Sequence, residues 1–294
     1  MRWQGKQQSK NVEDRRGERS GGGMMRTGGG VGIGMLLIAF VIYLLGGDGS
    51  GFLQQAQQAP APQEQQQRRT NEQYVGTEEE EALADIAGVV LKETEDVWGE
   101  IFPKQLGKNY TPAKLVLFEQ QIASACGMAG SATGPFYCPG DNKIYLDVDF
   151  YDQLKRKFGA PGDFAFAYVV AHEVGHHVQN QLGYTNYVHQ QKGRVSQSAY
   201  NDLSVRLELQ ADFLAGVWAH HTYKNTDLIE DDDFEEAMRA AEAIGDDNIQ
   251  RKTTGYVRPE TFTHGSSEQR MRWFRKGLET GDIAQGDTFS ARRL

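Results

Sequence analysis

Cysteine is scarce in this chain of 294 residues: there are two, Cys126 and Cys138. At that separation they do not make a paired-cysteine structural zinc motif. Positive charge is also short, with 31 Lys and Arg against 40 Asp and Glu and a net charge of −9. So acidic a balance argues against nucleic acid as a partner. The runs Glu78–Glu81 and Asp231–Asp233 read as solvated faces. No internal repeat is apparent, so nothing suggests a repeat array. Residues 31–47 carry no charge at all. With the glycines before them they form an apolar run of about 20 residues, near the length that spans a bilayer. The first 30 residues hold seven Lys/Arg against three Asp/Glu, and no basic residue follows the run until Arg68. This asymmetry predicts a basic cytoplasmic tail over 1–30, a transmembrane anchor over 31–47 and the rest of the chain on the far side. A cleaved signal peptide is the rival reading, but its basic region would be unusually long and no small-x-small site follows closely. Gly30-x-x-x-Gly34 is a weak helix-pairing pattern that would allow a homodimer.

Residues 48–76 are mostly Gly, Gln, Ala and Pro and read as a flexible linker. The remainder, 77–294, is long enough for one domain with a real core. It opens on Thr77-Glu78-Glu79-Glu80, a capping-box pattern, followed by an amphipathic helix to about Phe102. Residues 113–122 and 143–148 read as strands, and an acidic helix is expected around 230–244. The expected fold class is α+β, mainly helical with a small sheet and preceded by one transmembrane helix.

The richest segment is Ala171-His172-Glu173-Val174-Gly175-His176-His177, which contains HExxH. On a helix His172 and His176 are one turn apart on one face, with Glu173 beside them. Two neutral imidazoles and an adjacent carboxylate are what a zinc hydrolase needs to hold a metal and activate water. Residues 163–182 read as that helix, with Asp163 as N-cap, Gly183 as stop and no proline between. Its first half is almost wholly apolar, the mark of a buried helix. Polar groups buried there need a reason, and a metal supplies one. Two core histidines bonded to backbone are the bland alternative. A second apolar helical stretch, Leu203 to Trp218, carries Glu208 and Asp212 four residues apart. Glu208 is the candidate third ligand. Asp212 is placed to accept a hydrogen bond from the other ring nitrogen of a ligand histidine. The alternative is an exposed acidic pair. His177 projects about 100° from the ligand face and is not a natural third ligand. His189 carries a weaker signal, and His220 and His221 suit the end of their helix.

HExxH followed by ExxxD resembles the gluzincin metallopeptidases, and more specifically the bacterial neutral zinc metallopeptidase family. The matching segments are Cys126-Gly127, Gly134 to Pro139, Lys143 to Asp147, AHEVGHHVQ from Ala171, LELQAD from Leu207, AGVWA from Ala215 and THGSSEQR from Thr263. They cover most of residues 110–275. The resemblance implies a zinc peptidase but names no substrate. Gly175 within HExxH, and Thr263-His264 with Arg270, also resemble membrane-associated gluzincins of the prenyl-protease type. That likeness implies that His264, just before a helix capped by Ser266 or Ser267, stabilises the oxyanion; a surface loop histidine is the alternative. Arg270 either pairs with a site carboxylate or is solvated or structural, and the second reading is favoured. In zincins a cleft-side edge strand binds extended peptide, and Lys143–Asp147 is the expected edge, giving Ile144, Tyr145 and Leu146 as substrate-binding residues. Cys126 and Cys138, in an oxidising compartment, would close a disulfide at the cleft rim; two free thiols are the alternative.

These expectations combine into a zinc metallopeptidase with one Zn²⁺ per chain, bound by His172, His176 and Glu208. Glu173 is expected as general base and a peptide or protein as substrate. The expected location is a bacterial inner membrane, single-pass, N-terminus cytoplasmic, catalytic domain periplasmic. A catalytically silent zinc-binding envelope module, or a scaffold, is the competing function.

Overall fold

The protein is described here by a computed structural model covering residues 1–18, 76–130 and 133–294. The chain begins with a short strand, β1 (Val12–Asp14). Helix α1 (Glu78–Ile101) starts where the capping box predicts: the Thr77 hydroxyl accepts from the Glu80 N–H, and the Glu80 carboxylate accepts from the Thr77 N–H. Such a cap stabilises a helix start by about 1 kcal/mol. Five further strands follow: β2 (Lys114–Phe118), β3 (Gln121–Ser124), β4 (Gly127–Gly130), β5 (Phe136–Cys138) and β6 (Lys143–Asp147). A short helix α2 (Phe150–Gln153) leads to α3 (Asp163–Leu182), α4 (Tyr184–Gln191) and α5 (Gln197–Asn225). Helices α6 (Asp233–Ala243), α7 (Asp246–Thr254) and α8 (Ser267–Thr280) follow, and the residues after α8, with a 3₁₀ turn over Ile283–Gly286, run on to Leu294 as a C-terminal strap.

The main sheet runs β1-β2-β6-β5, and β3-β4 form a separate hairpin. β1, β2 and β6 are parallel, while β5 is antiparallel to β6. Helix α3 lies at the centre of the fold, which is why its first half is apolar all round. Phe164, Phe166 and Tyr168 are fully buried, and Phe164 stacks on Trp218 of α5. Burial of each such side chain stabilises the fold by roughly 1.5–3 kcal/mol. Asp163 is the first residue of α3 rather than its cap, which is Gly162. Its carboxylate accepts instead from the Trp3 indole N–H at 2.9 Å.

The mainly helical body with a small sheet agrees with expectation; the single-pass arrangement does not. Residues 1–18 are not a separate cytoplasmic tail but belong to the same compact unit as 76–294. β1 pairs with β2 in the register Val12 with Leu115 and Asp14 with Leu117. A single crossing over 31–47 would put these two strands on opposite sides of a bilayer, where they could not hydrogen-bond. Residues 31–47 and the expected linker lie outside the described residues, and among those described no helix is long and apolar enough to cross a membrane.

The expected edge strand is also corrected. β6 is hydrogen-bonded to β2 on one side and β5 on the other, so it has no free edge along Ile144 and Tyr145. Ile144, Tyr145 and Leu146 are all buried. The last strand on that side of the sheet is β5.

Candidate metal centre

Helices α3 and α5 cross where Gly175 faces Ala211. A Cβ on Gly175 would lie 2.9 Å from the Ala211 carbonyl oxygen, so only glycine permits this approach. The crossing brings Glu208 of α5 over the HExxH turn of α3. Glu208 Oε2 is 3.2 Å from His172 Nε2, and Glu208 Oε1 is 3.5 Å from His176 Nε2. One ligand atom from each of the three residues lies within 4.8 Å of the other two. A tetrahedron with arms of about 2.1 Å has edges of roughly 3.4 Å, so the spacing fits zinc.

The other nitrogen of each imidazole is occupied. His172 Nδ1 is 2.8 Å from Asp212 Oδ1. His176 Nδ1 is 2.9 Å from Gln179 Oε1. Both rings therefore present Nε2 toward Glu208, as ligands to one ion require.

Asp212 is fully buried and serves three partners. It takes the Tyr168 hydroxyl, the His172 ring and the Arg270 guanidinium, whose Nε lies 2.9 Å from Oδ2. Arg270 is thus neither solvated nor peripheral: it is 3% exposed and paired with the site carboxylate. α8 can bring it there because Gly216 and Gly277 let α5 and α8 meet backbone to backbone. A Cβ on Gly277 would fall 2.0 Å from the Phe213 carbonyl oxygen.

Burial opposes charge on Asp212, but Arg270 and His172 outweigh it and push the carboxyl down to about 2. Burial likewise opposes charge on Glu208, and His176 and His172 hold it well below the usual range. Burial would lower His172, yet Asp212 and Glu208 raise it to about 10. His176 is raised in the same way, chiefly by Glu208. The surroundings of the two Nε2 atoms thus favour a cation, whether a proton or a metal ion.

Glu173 is 7% exposed and accepts no hydrogen bond among the described residues. It lines a cleft of about 430 Å³ with His172, His176, Glu208 and His264. His264 is half exposed at the rim, its Nδ1 3.2 Å from Asp246 Oδ1. One wall of the cleft is the segment from Thr133 to Tyr137, including two residues of β5, while Ile144, Tyr145 and Leu146 do not reach it. Cys126 and Cys138 are joined as a disulfide that ties the β3–β4 turn to the end of β5. His177 is buried against the Thr111 carbonyl and the Tyr137 hydroxyl, away from the ligand face. His189 lines the cleft. His220 and His221 bond the carbonyls of Leu278 and Gly281 instead of a metal.

Tyr168, Gln179 and Asp246 escaped the reading of the sequence. Tyr168 lies one helical turn before His172, so spacing alone carried a signal for it. Gln179 lies three residues after His176, with the same kind of signal. Nothing local marks Asp246.

HExxH on α3 and Glu208 on α5 thus converge as a possible His-His-Glu metal site of the kind a metallopeptidase uses. Residues 1–289 match the family described as "Putative neutral zinc metallopeptidase", and the chain belongs to that family. It is similar to "Uncharacterized protein YpfJ" of Escherichia coli K12, at 45% identity over 98% of this chain and 99% of that one. It is also similar to "Uncharacterized protein Rv2575" of Mycobacterium tuberculosis H37Rv, at 46% identity over 67% of this chain and 68% of that one. No solved structure matches.

Proposed function

We infer that the chain is a zinc-dependent peptidase in which His172, His176 and Glu208 hold the ion. When bound, zinc supplies a Lewis acid that polarises the scissile carbonyl and lowers the pKa of water. The observation that carries this reading is Glu173, a buried carboxylate that accepts no hydrogen bond among the described residues, beside three converging ligand atoms. A silent binding site has no use for such a group. Glu173 takes the proton of the attacking water and passes it to the leaving nitrogen. His264, held by Asp246 at the rim, donates to the oxygen on which negative charge develops. Asp212, itself held by Arg270 and Tyr168, orients the His172 ring. The substrate is an extended peptide laid along β5, the last strand of its sheet, with backbone hydrogen bonds giving affinity.

The test is Glu173→Gln, assayed on a peptide selected by wild type from an unbiased library. Zinc content and melting temperature should stay near wild type, while hydrolysis falls by about 10²-fold or more. Equal cleavage by both proteins would leave a zinc-binding module in place of a peptidase.

A further inference from the structure

We propose that Gln179 is the positioning residue that fixes the tautomer of His176, and that Gln210 and the C-terminal strap hold it in that role. The proposal rests on the zinc-site reading above.

A ring nitrogen can donate or accept, so the His176–Gln179 contact alone does not say which nitrogen carries the proton. The neighbours of Gln179 decide it. Its Nε2 lies 2.6 Å from the Leu207 carbonyl oxygen and 3.1 Å from Gln210 Oε1. The Nε2 of Gln210 in turn donates to the Gly286 carbonyl oxygen at 3.1 Å. Backbone carbonyls only accept. The carbonyl of Gly286 therefore requires the amide nitrogen of Gln210 to face it, which turns Oε1 of Gln210 toward Gln179. The carbonyl of Leu207 requires the amide nitrogen of Gln179 in the same way. Both hydrogens of that nitrogen are then used, and Oε1 of Gln179 must face His176. An amide oxygen cannot donate, so in the neutral ring His176 Nδ1 carries the proton and Nε2 keeps the lone pair that a metal needs.

Burial makes this chain selective. Gln179 is 0% and Gln210 4% exposed, so water does not compete for either amide. A reversed amide would set two oxygens against each other with no solvent to relieve them, at a cost comparable to a lost buried hydrogen bond.

The far end is pinned independently. Thr288 donates its hydroxyl to the Arg206 carbonyl at 2.6 Å, and the Arg206 guanidinium bonds the Thr288 carbonyl at 2.6 Å. Phe289 stacks on Tyr184 of α4. The strap thus presents the Gly286 carbonyl in a fixed place. The two ligand histidines are held by different means: His172 by a carboxylate with its own arginine, His176 by a neutral amide relay.

The test uses the full chain with metal removed by chelator, at a pH where the ring is neutral. Imidazole ¹⁵N shifts should show His176 as the Nδ1–H tautomer, although Nε2–H is the form that free histidine prefers. Gln179→Met keeps the volume but removes the acceptor. It should move His176 toward Nε2–H and weaken zinc binding by roughly 10–100-fold, with the fold intact. Gln210→Leu should do the same to a smaller extent, because Leu207 still orients Gln179. An Nε2–H ring in wild type overturns the proposal whether or not the variants fold. So does a folded Gln179→Met with unchanged zinc affinity. A wild-type chain that binds no zinc removes the functional reading instead, and the tautomer remains measurable.

Discussion

Asp246 illustrates how one carboxylate can organise a site it does not enter. Its Oδ2 accepts the N–H groups of Thr263, His264 and Gly265 at 2.7, 2.7 and 3.1 Å. Its Oδ1 faces the His264 ring, so loop and imidazole are placed by the same side chain. Burial works against ionisation of Asp246, but these bonds keep its carboxyl below the ordinary range. His264→Ala should leave zinc content unchanged and lower turnover by about 10²-fold, the usual effect of losing one oxyanion donor. Asp246→Ala should lower turnover similarly while also reducing the melting temperature, because three loop N–H groups lose their shared acceptor. Wild-type turnover in a folded Asp246→Ala would show that the rim histidine needs no positioning. At this scale the sequence was legible where chemistry repeats at helical spacing, as for His172, His176, Glu208 and Asp212. Arg270 reaches the centre, and Asp246 its rim, only through tertiary packing, and no local spacing marks that.

The elements meet at glycines, and those contacts set the metal geometry. Gly175 is the clearest case, since its missing Cβ is what lets α5 bring Glu208 within reach of both imidazoles. Gly175→Ala sets two effects against each other. Alanine improves helix propensity by about 1 kcal/mol. The new methyl meets a backbone oxygen at 2.9 Å that cannot rotate away, and such overpacking costs roughly 1–3 kcal/mol. The clash should win, giving a net loss of stability and weaker zinc binding as Glu208 is pushed back. A variant that gains stability and binds zinc like wild type would mean that α3 and α5 have slack at this crossing. Helices α1 and α3 were readable because each has strong end signals: the Thr77–Glu80 box for one, Gly183 at φ 90° for the other. Strand order was not readable. The pattern of Lys143–Asp147 reveals a strand, but nothing in it reveals that three-residue β5 covers its outer side.

At the scale of the whole molecule the first 18 residues supply β1, the edge strand of the main sheet next to β2. Val12-Glu13-Asp14 is too short and too polar to announce a strand, and its partner β2 lies about a hundred residues away, so its pairing could not be read locally. Its attachment is partly electrostatic. Glu13 of β1 reaches Lys143 of β6 at 2.8 Å and Lys114 of β2 at 3.2 Å, binding three strands through one carboxylate. The hydrogen bond from Lys143 is the main cause that lowers the Glu13 carboxyl from its ordinary 4.5. The sign of the pH effect follows. A carboxyl depressed by folding adds stability above its unfolded pKa, and that contribution disappears as pH falls through the lower folded value. Both lysines and Glu13 are partly solvated, so the contribution is that of surface pairs, about 0.2–1 kcal/mol each before salt screens it. Glu13→Gln should therefore be less stable than wild type by up to about 2 kcal/mol at pH 7 in low salt. The gap should stay level down to roughly pH 4.5 and close below it, as wild type loses what the variant never had. Urea melts of both proteins from pH 3 to pH 8 read this directly. A gap that widens on acidification would mean that Glu13 does not hold β1 to the sheet by charge.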